Sequence, residues 1–355
     1  MFYANNMKVK RRMWVKIAAV AVVSMLVAGL AIDLSGPLRL VAVAPTSSTT
    51  PAPTPAPALD PIQIEAMRAR SYPGSQLIIT QDLGAQFGYH DSIASYLSDG
   101  LTLYALVSTP NGAEPAGGWP VIILAHGYID PPQYQTAGAD YRSVIDELAA
   151  AGYLVVKPDY RGHGHSQGQP TGGHFSPAYT YDVLNLIASL KTYSDANPER
   201  IGLLGHSLGG HVALRTIVVS HDVKATVFMA GVVGSINDIL YNWPRSPAPG
   251  DRPVALVQGA RQRLIAIYGD PKTNPKFWDS ASAINYVSAV SGAVQINHDE
   301  ADSTVPKLFS DHLNAALVAA HKPADYFVYP GDDHQFTQNH ALLMQRILAF
   351  YAAHL

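Results

Sequence analysis

The stretch Ile201-Gly202-Leu203-Leu204-Gly205-His206-Ser207-Leu208-Gly209-Gly210-His211-Val212-Ala213-Leu214 decides how this chain is read. An apolar run stops at Gly205, Ser207 follows two residues later, and Gly209 and Gly210 lead into a segment with helical periodicity. A serine presented on a sharp turn between a strand and a helix needs glycines on either side, because side chains there would collide. The helix that follows points its N-terminus at the serine, so its first backbone N–H groups face any negative charge that develops. The spacing therefore predicts a nucleophile elbow centred on Ser207.

The same five-residue pattern recurs as Gly164-His165-Ser166-Gln167-Gly168. There the serine follows the polar run Asp159-Tyr160-Arg161-Gly162-His163 and precedes Gln169-Pro170-Thr171-Gly172-Gly173, which cannot begin a helix. Context thus selects Ser207 over Ser166.

Around the elbow, strand and helix signals alternate. Strand-like runs at 77–80, 92–97 and 101–107 come first, the last two separated by the turn signal Ser98-Asp99-Gly100. Val121-Ile122-Ile123-Leu124-Ala125 is a continuous apolar strand of the kind buried on both faces of a parallel sheet. Helix 141–151, strand 153–157, helix 179–193, strand 200–204, helix 210–219 and strand 225–230 continue the series. Repeated βα units specify an α/β class with a doubly wound, mostly parallel sheet.

In such sheets, sites form beyond the carboxyl ends of the strands. Three segments fall there. His126-Gly127-Tyr128 follows the Val121 strand, and the backbone N–H of Tyr128, with that of Leu208, can make an oxyanion hole, unless the segment is an ordinary strand-to-loop turn. The run 293–306 ends a buried strand in a loop crowded with acids, of which Asp302 is preferred to Asp299 as the carboxylate that orients a histidine. Alternatives for that cluster are a solvated acidic loop or a cation site of His298, Asp299 and Glu300. Finally, Tyr326 to Phe336 runs from a strand into a loop carrying His334, placed before the closing helix 341–354 to act as base.

These motifs resemble those of α/β-hydrolases of the prolyl oligopeptidase and dienelactone hydrolase-like group, over nearly all of residues 88–355. Besides the elbow, Asp159-Tyr160-Arg161-Gly162-His163-Gly164-His165-Ser166 is similar to the group's Asp-x-Arg-Gly-x-Gly-x-Ser loop. Residues 283–287, Ala301-Asp302 with Val305-Pro306, and Tyr329-Pro330-Gly331 before His334 match as well. Two departures stand out. His298-Asp299-Glu300 replaces the usual His-Gly-Thr, bringing charge beside Asp302 that could raise its pKa or compete for His334, and Tyr128 stands where a second glycine is common.

The resemblance implies an α/β-hydrolase fold and a Ser207–His334–Asp302 triad. It also implies acyl transfer to water through an acyl-enzyme, with no cofactor and no metal. Serine, acid and histidine follow one another in the chain order of that fold. The insertion at 232–280 reads as a small lid. Tyr128, His206, Tyr241, Trp243 and Trp278 are the expected lining of an apolar substrate pocket, the alternative being an aromatic patch that closes the core. Prolyl oligopeptidases proper carry a propeller before the hydrolase domain and only a linker precedes this one, so a small-molecule ester is the expected substrate, with a peptide as the alternative. A catalytically dead binding protein would lack a triad member, and none is missing.

The N-terminal region has a different character. Lys8, Lys10, Arg11 and Arg12 precede an apolar run from Ile17 to Ile32, which predicts a basic cytoplasmic stub and a membrane anchor over 1–34. The domain would then lie outside the cytoplasm, or be secreted if the segment is cut, for example after Gly29-Leu30-Ala31. The Pro-, Thr- and Ala-rich stretch that follows reads as a linker over 35–71, with the folded domain at 72–355.

The 355 residues are 48% hydrophobic, enough for one large core. No cysteine is present, which removes disulfides, thiolate metal sites and a cysteine nucleophile. From residue 60 onward the chain holds 18 of the 24 basic and 26 of the 27 acidic residues, a net charge of −8, so no basic stripe exists for a nucleic-acid partner.

Overall fold

The computed structural model describes residues 58–243 and 254–355. The basic stub, the apolar run 17–32 and most of the linker lie outside the described residues. Among the described residues no helix is long and apolar enough to cross a membrane.

Nine strands form one sheet in the described residues: β1 (Ile78–Ala85), β2 (Tyr89–Ser98), β3 (Leu101–Pro110), β4 (Trp119–Ala125), β5 (Leu154–Pro158), β6 (Ala196–His206), β7 (Val223–Met229), β8 (Ala293–Asp299) and β9 (Asp325–Tyr329). Their order is β1-β2-β3-β5-β4-β6-β7-β8-β9. The β1–β2, β2–β3 and β3–β5 pairings are antiparallel and the other five parallel. The expected Asp99-Gly100 turn joins β2 to β3, both residues having positive φ (54° and 77°), the conformation a two-residue hairpin requires.

The apolar run 121–125 lies in β4 beside β6 and is buried at every position. Val121, Ile123 and Ala125 enter one core cluster while Ile122 and Leu124 enter the other, so the strand packs on both faces. Helices α2 (Arg142–Ala150) and α9 (His340–His354) feed the second cluster. The first is fed by α3 (Ala178–Leu190), α4 (Leu208–Val219) and α8 (Leu308–Ala319).

The structure departs from the sequence reading at two places. The expected linker does not reach residue 71: a short helix α1 (Ile64–Arg68) buries Ile64 and Met67, and Arg68 donates from Nε and Nη2 to Val218 O at 3.0 and 2.7 Å. Ile64 and Met67 are three residues apart and so share one side of a helical turn, a signal masked by the prolines before them. Helix α8 was not anticipated either, although Phe309, Leu313 and Leu317 recur every four residues and all three are buried.

Within 232–280 the chain forms α5 (Ile236–Tyr241), α6 (Val254–Tyr268) and α7 (Pro275–Ala281). Ser235 and Asp238 cap α5 reciprocally. Ile236, Leu240, Trp278 and Ala281 pack with Ile62 in a separate small cluster.

Gly209 carries the closest approach in the sheet-to-helix packing, since a Cβ there would sit 1.8 Å from Ala125 O. Backbone cannot yield as a side-chain tip does. Gly209→Ala is therefore expected to lower stability by about 2–3 kcal/mol or more, measured as a fall in the urea midpoint at unchanged m-value.

Candidate active site

Strand β6 ends at His206 and α4 begins at Leu208, leaving Ser207 alone at the turn. Its backbone has φ 54° and ψ −119°, a conformation that costs a non-glycine residue about 1–3 kcal/mol and persists only when over-determined by its surroundings. Three hydrogen bonds fix it: Ser207 N–H donates to Met229 O at 3.1 Å, and Ser207 O accepts from Gly210 N at 3.0 Å and Val232 N at 2.9 Å. Ser166, by contrast, is buried, where its hydroxyl accepts from Tyr104 N at 2.9 Å and donates to Asp159 O at 3.2 Å. It stitches a loop to β3.

The structure brings His334 and Asp302 together, with Nδ1 of the histidine 2.7 Å from Oδ2 of the acid. Asp302 Oδ1 also accepts from Thr304 N at 2.8 Å and Val305 N at 2.9 Å, and Oδ2 lies 3.3 Å from His298 Nε2. Burial pushes the Asp302 carboxyl up. The hydrogen bonds from His298, His334 and Val305 and the charge of His334 outweigh it, holding the group well below the usual carboxylate range. The raised pKa that the neighbouring acids suggested does not occur, and Asp299 is engaged elsewhere, accepting from Ala301 N at 2.7 Å and Asp332 N at 2.9 Å. His298 is committed to Ser310 Oγ through Nδ1 and to Val305 O through Nε2, so a cation site of His298, Asp299 and Glu300 does not form.

The loop carrying His334 is shaped by two aspartates that the sequence reading passed over. Asp332 accepts from the backbone N–H groups of Asp333, Gln338 and Asn339, and Asp333 from those of Gln335 and Thr337. The sequence signal was there, as two acids beside a predicted loop histidine. Among the described residues no hydrogen bond joins Ser207 to His334; the His334 ring lies 4.8 Å from that of His206, the residue before the serine.

At the end of β4, Gly127 packs against the elbow, a Cβ on it meeting Ser207 Cβ at 3.1 Å. Its own N–H donates to the Tyr141 hydroxyl at 2.7 Å. The Tyr128 side chain is half exposed, its hydroxyl 3.2 Å from Asp130. Leu208 is the first residue of α4, a position whose N–H has no partner within the helix.

The five residues expected to line a pocket separate into three kinds. His206 is buried, with both ring nitrogens engaged within the protein, to Tyr141 and His334, so it offers nothing to a substrate. Trp278 is 1% exposed and donates to Gly269 O at 2.9 Å, because α7 turns it into the small cluster; it closes the core of the insertion. Tyr241, Trp243 and Tyr128 retain exposed surface. Tyr241 is braced by Asp270 at 2.5 Å with Arg261 stacked 4.2 Å over its ring, while Trp243 donates to Thr304 O at 2.7 Å, on the Asp302 loop. Its ring meets those of His174 and Phe309 edge-on. A cavity of about 570 Å³ elsewhere, lined by Phe87, Tyr89, Arg142 and Glu147 among others, includes none of the residues selected from sequence.

Comparison with known proteins agrees with this architecture. Residues 119–250 match the family model described as serine aminopeptidase, S33. Dipeptidyl peptidase 8 of Mus musculus is 24% identical over 253 residues, 66% of this chain and 25% of that protein. Lysophosphatidylserine lipase ABHD12 of Xenopus tropicalis is 36% identical over 100 residues, 28% of this chain and 23% of that protein. The chain thus spans about a quarter of the length of these relatives. The acetyl xylan esterase from Paenibacillus sp. R4 superposes with a TM-score of 0.61 at 19% identity, over 82% of this chain and 92% of the esterase. This chain has the α/β-hydrolase fold, and the proteins it matches are hydrolases, peptidases and esterases alike.

Ser166 and Asp302 make opposite predictions. Ser166→Ala leaves a partly buried Tyr104 N–H without its acceptor and is expected to cost about 1–2 kcal/mol of stability while hydrolytic activity stays within about threefold of wild type. Asp302→Asn is expected to lower kcat by about a thousandfold or more against a chromogenic ester. The same substitution should cost stability at neutral pH. The folded-state carboxyl ionises below its unfolded value, so its contribution is present above about pH 4 and is lost only as pH falls through the folded value. Urea titrations of both proteins at pH 7 and pH 3 check this, with the gap between them narrowing in acid.

Proposed function

We propose that the chain is a serine hydrolase that cleaves a carboxylic ester through an acyl-enzyme. The observations that support this reading are a serine on a strained strand-to-helix turn and, on loops at the same end of the sheet, a hydrogen-bonded His334–Asp302 pair. In the proposed cycle His334 accepts the Ser207 proton as the hydroxyl oxygen attacks the carbonyl, and the N–H groups of Tyr128 and Leu208 stabilise the oxyanion. Asp302, accepting from Nδ1–H, keeps the tautomer in which Nε2 is the base. Collapse of the intermediate expels the alcohol with a proton from His334. Water then attacks the acyl-enzyme by the same route and restores Ser207.

The esterase reading is supported by the near full-length superposition on an acetyl xylan esterase and by the lipase similarity. A peptidase is the second reading, favoured by the S33 family match and by the similarity to dipeptidyl peptidase 8. For the location of the domain, the basic cluster at 8–12 before the apolar run 17–32 supports a membrane anchor with the hydrolase outside the cytoplasm, or secretion if the run is cut.

The full-length chain, assayed on p-nitrophenyl acyl esters and aminoacyl-p-nitroanilides, is expected to prefer the esters, and Ser207→Ala to abolish turnover. Preference for the anilides would establish the peptidase instead. Inertness of the wild type towards both panels and towards a fluorophosphonate probe would overturn the hydrolase reading.

A further inference from the structure

His206 and Tyr141 form a continuous hydrogen-bonded link between the two sides of the candidate site. Gly127 N–H donates to the Tyr141 hydroxyl at 2.7 Å, that hydroxyl is 2.7 Å from His206 Nδ1, and His206 Nε2 is 3.0 Å from the backbone carbonyl of His334. The donors and acceptors permit one arrangement. A carbonyl only accepts, so Nε2 carries the proton; Nδ1 is then the acceptor and takes the hydrogen of Tyr141, whose oxygen takes that of Gly127. Burial, then the neighbouring charge of His334, pushes His206 down to about 3, which keeps the ring neutral and this arrangement intact at physiological pH.

We propose that Tyr141 and His206 are positioning residues that lock the oxyanion loop and the base loop into one unit around Ser207. The inference rests on the reading of Ser207 and His334 as nucleophile and base. Three features support it beyond the distances. Tyr141 sits at the N-cap of α2 with φ 64°, a left-handed conformation that an aromatic residue rarely adopts. Gly127 has room for hydrogen only, since a Cβ would lie 2.8 Å from the Tyr141 hydroxyl and 3.2 Å from His206 Nδ1. His206 adjoins Ser207 in the chain, so the link is anchored at the elbow itself. A shift of the loop or of the His334 backbone moves a donor or the base relative to the reacting carbon, and such a displacement of about 1 Å costs on the order of a hundredfold in rate.

The test measures kcat and KM on p-nitrophenyl butyrate, fluorophosphonate labelling of Ser207, and the thermal midpoint. The proteins are full-length wild type, Tyr141→Phe, His206→Leu, His206→Gln and the double variant Tyr141→Phe/His206→Leu. The expected result is a tenfold to hundredfold loss of kcat in Tyr141→Phe and in His206→Leu with KM within about twofold, and a double variant no slower than the worse single one. His206→Gln, which keeps an acceptor for Tyr141 and a donor for the His334 carbonyl, should recover most of the loss.

Multiplicative losses in the double variant, unchanged kcat in either single variant, or equal rates for His206→Gln and His206→Leu would each overturn the proposal. Should Tyr141→Phe fail to fold, the Gln-to-Leu comparison at position 206 decides it alone. A wild type that neither turns over the ester nor reacts with the probe brings down the underlying active-site reading, an outcome separable from the variants because it appears before any substitution.

Discussion

Ser207 occupies a backbone conformation that no isolated L-residue would choose, and the central sheet is arranged to hold it there. The holding is done by neighbouring parallel strands. Met229 at the end of β7 accepts the Ser207 N–H, and Val232 just beyond donates to its carbonyl. On the other side, the end of β4 comes so close that Gly209 and Gly127 have no space for a Cβ. Strain at the serine is therefore compensated by packing that a three-strand alignment of β4, β6 and β7 supplies. Were the order of these strands different, neither the Met229 acceptor nor the Ala125 contact would exist.

The loops that carry Asp302 and His334 are held by carboxylates accepting backbone N–H groups. Asp299 takes one amide from its own loop and one from Asp332, so it ties the end of β8 to the end of β9. Asp332 takes three more and shapes the turn that carries His334. Such bonds to an ionised acceptor are about twice as strong as neutral ones. They fix loops that have little apolar surface of their own. Asp299, which looked like a perturbation of Asp302, is part of the frame around it, and the donors aimed at Asp302 override the cost of its burial.

The elbow, the sheet and the order of serine, acid and histidine could be read from sequence because each leaves a local mark. Glycines mark close approach, continuous apolar runs mark strands covered on both faces, and a loop after a strand marks the site edge. The pocket was far less legible. Trp278 and His206 are both suitable pocket residues by type and by position in the chain. What removes them is tertiary: α7 turns Trp278 toward Ile236 and Leu240, and His206 finds Tyr141 some 65 residues earlier. Helix α1 was hidden for a related reason, its two buried residues meaning nothing until Arg68 and Val218 are seen together. Spacing reports which face a residue occupies, and only the assembled fold reports what covers that face.

Ester and amide hydrolysis differ at the leaving group. Attack, oxyanion and acyl-enzyme are common to both reactions, so the elbow and the His334–Asp302 pair cannot discriminate between them. Discrimination has to come from groups that hold the leaving side of the substrate. Trp243 joins the insertion to the acid loop, its indole N–H fixed to Thr304 O while its ring rests against His174 and Phe309. The carbonyls of His174 and Ser176 are in turn held by the buried Arg215 of α4. The insertion, the acid loop and the elbow helix are thus joined through contacts of Trp243, His174 and Arg215, so this part of the structure is tied to the helix that follows Ser207.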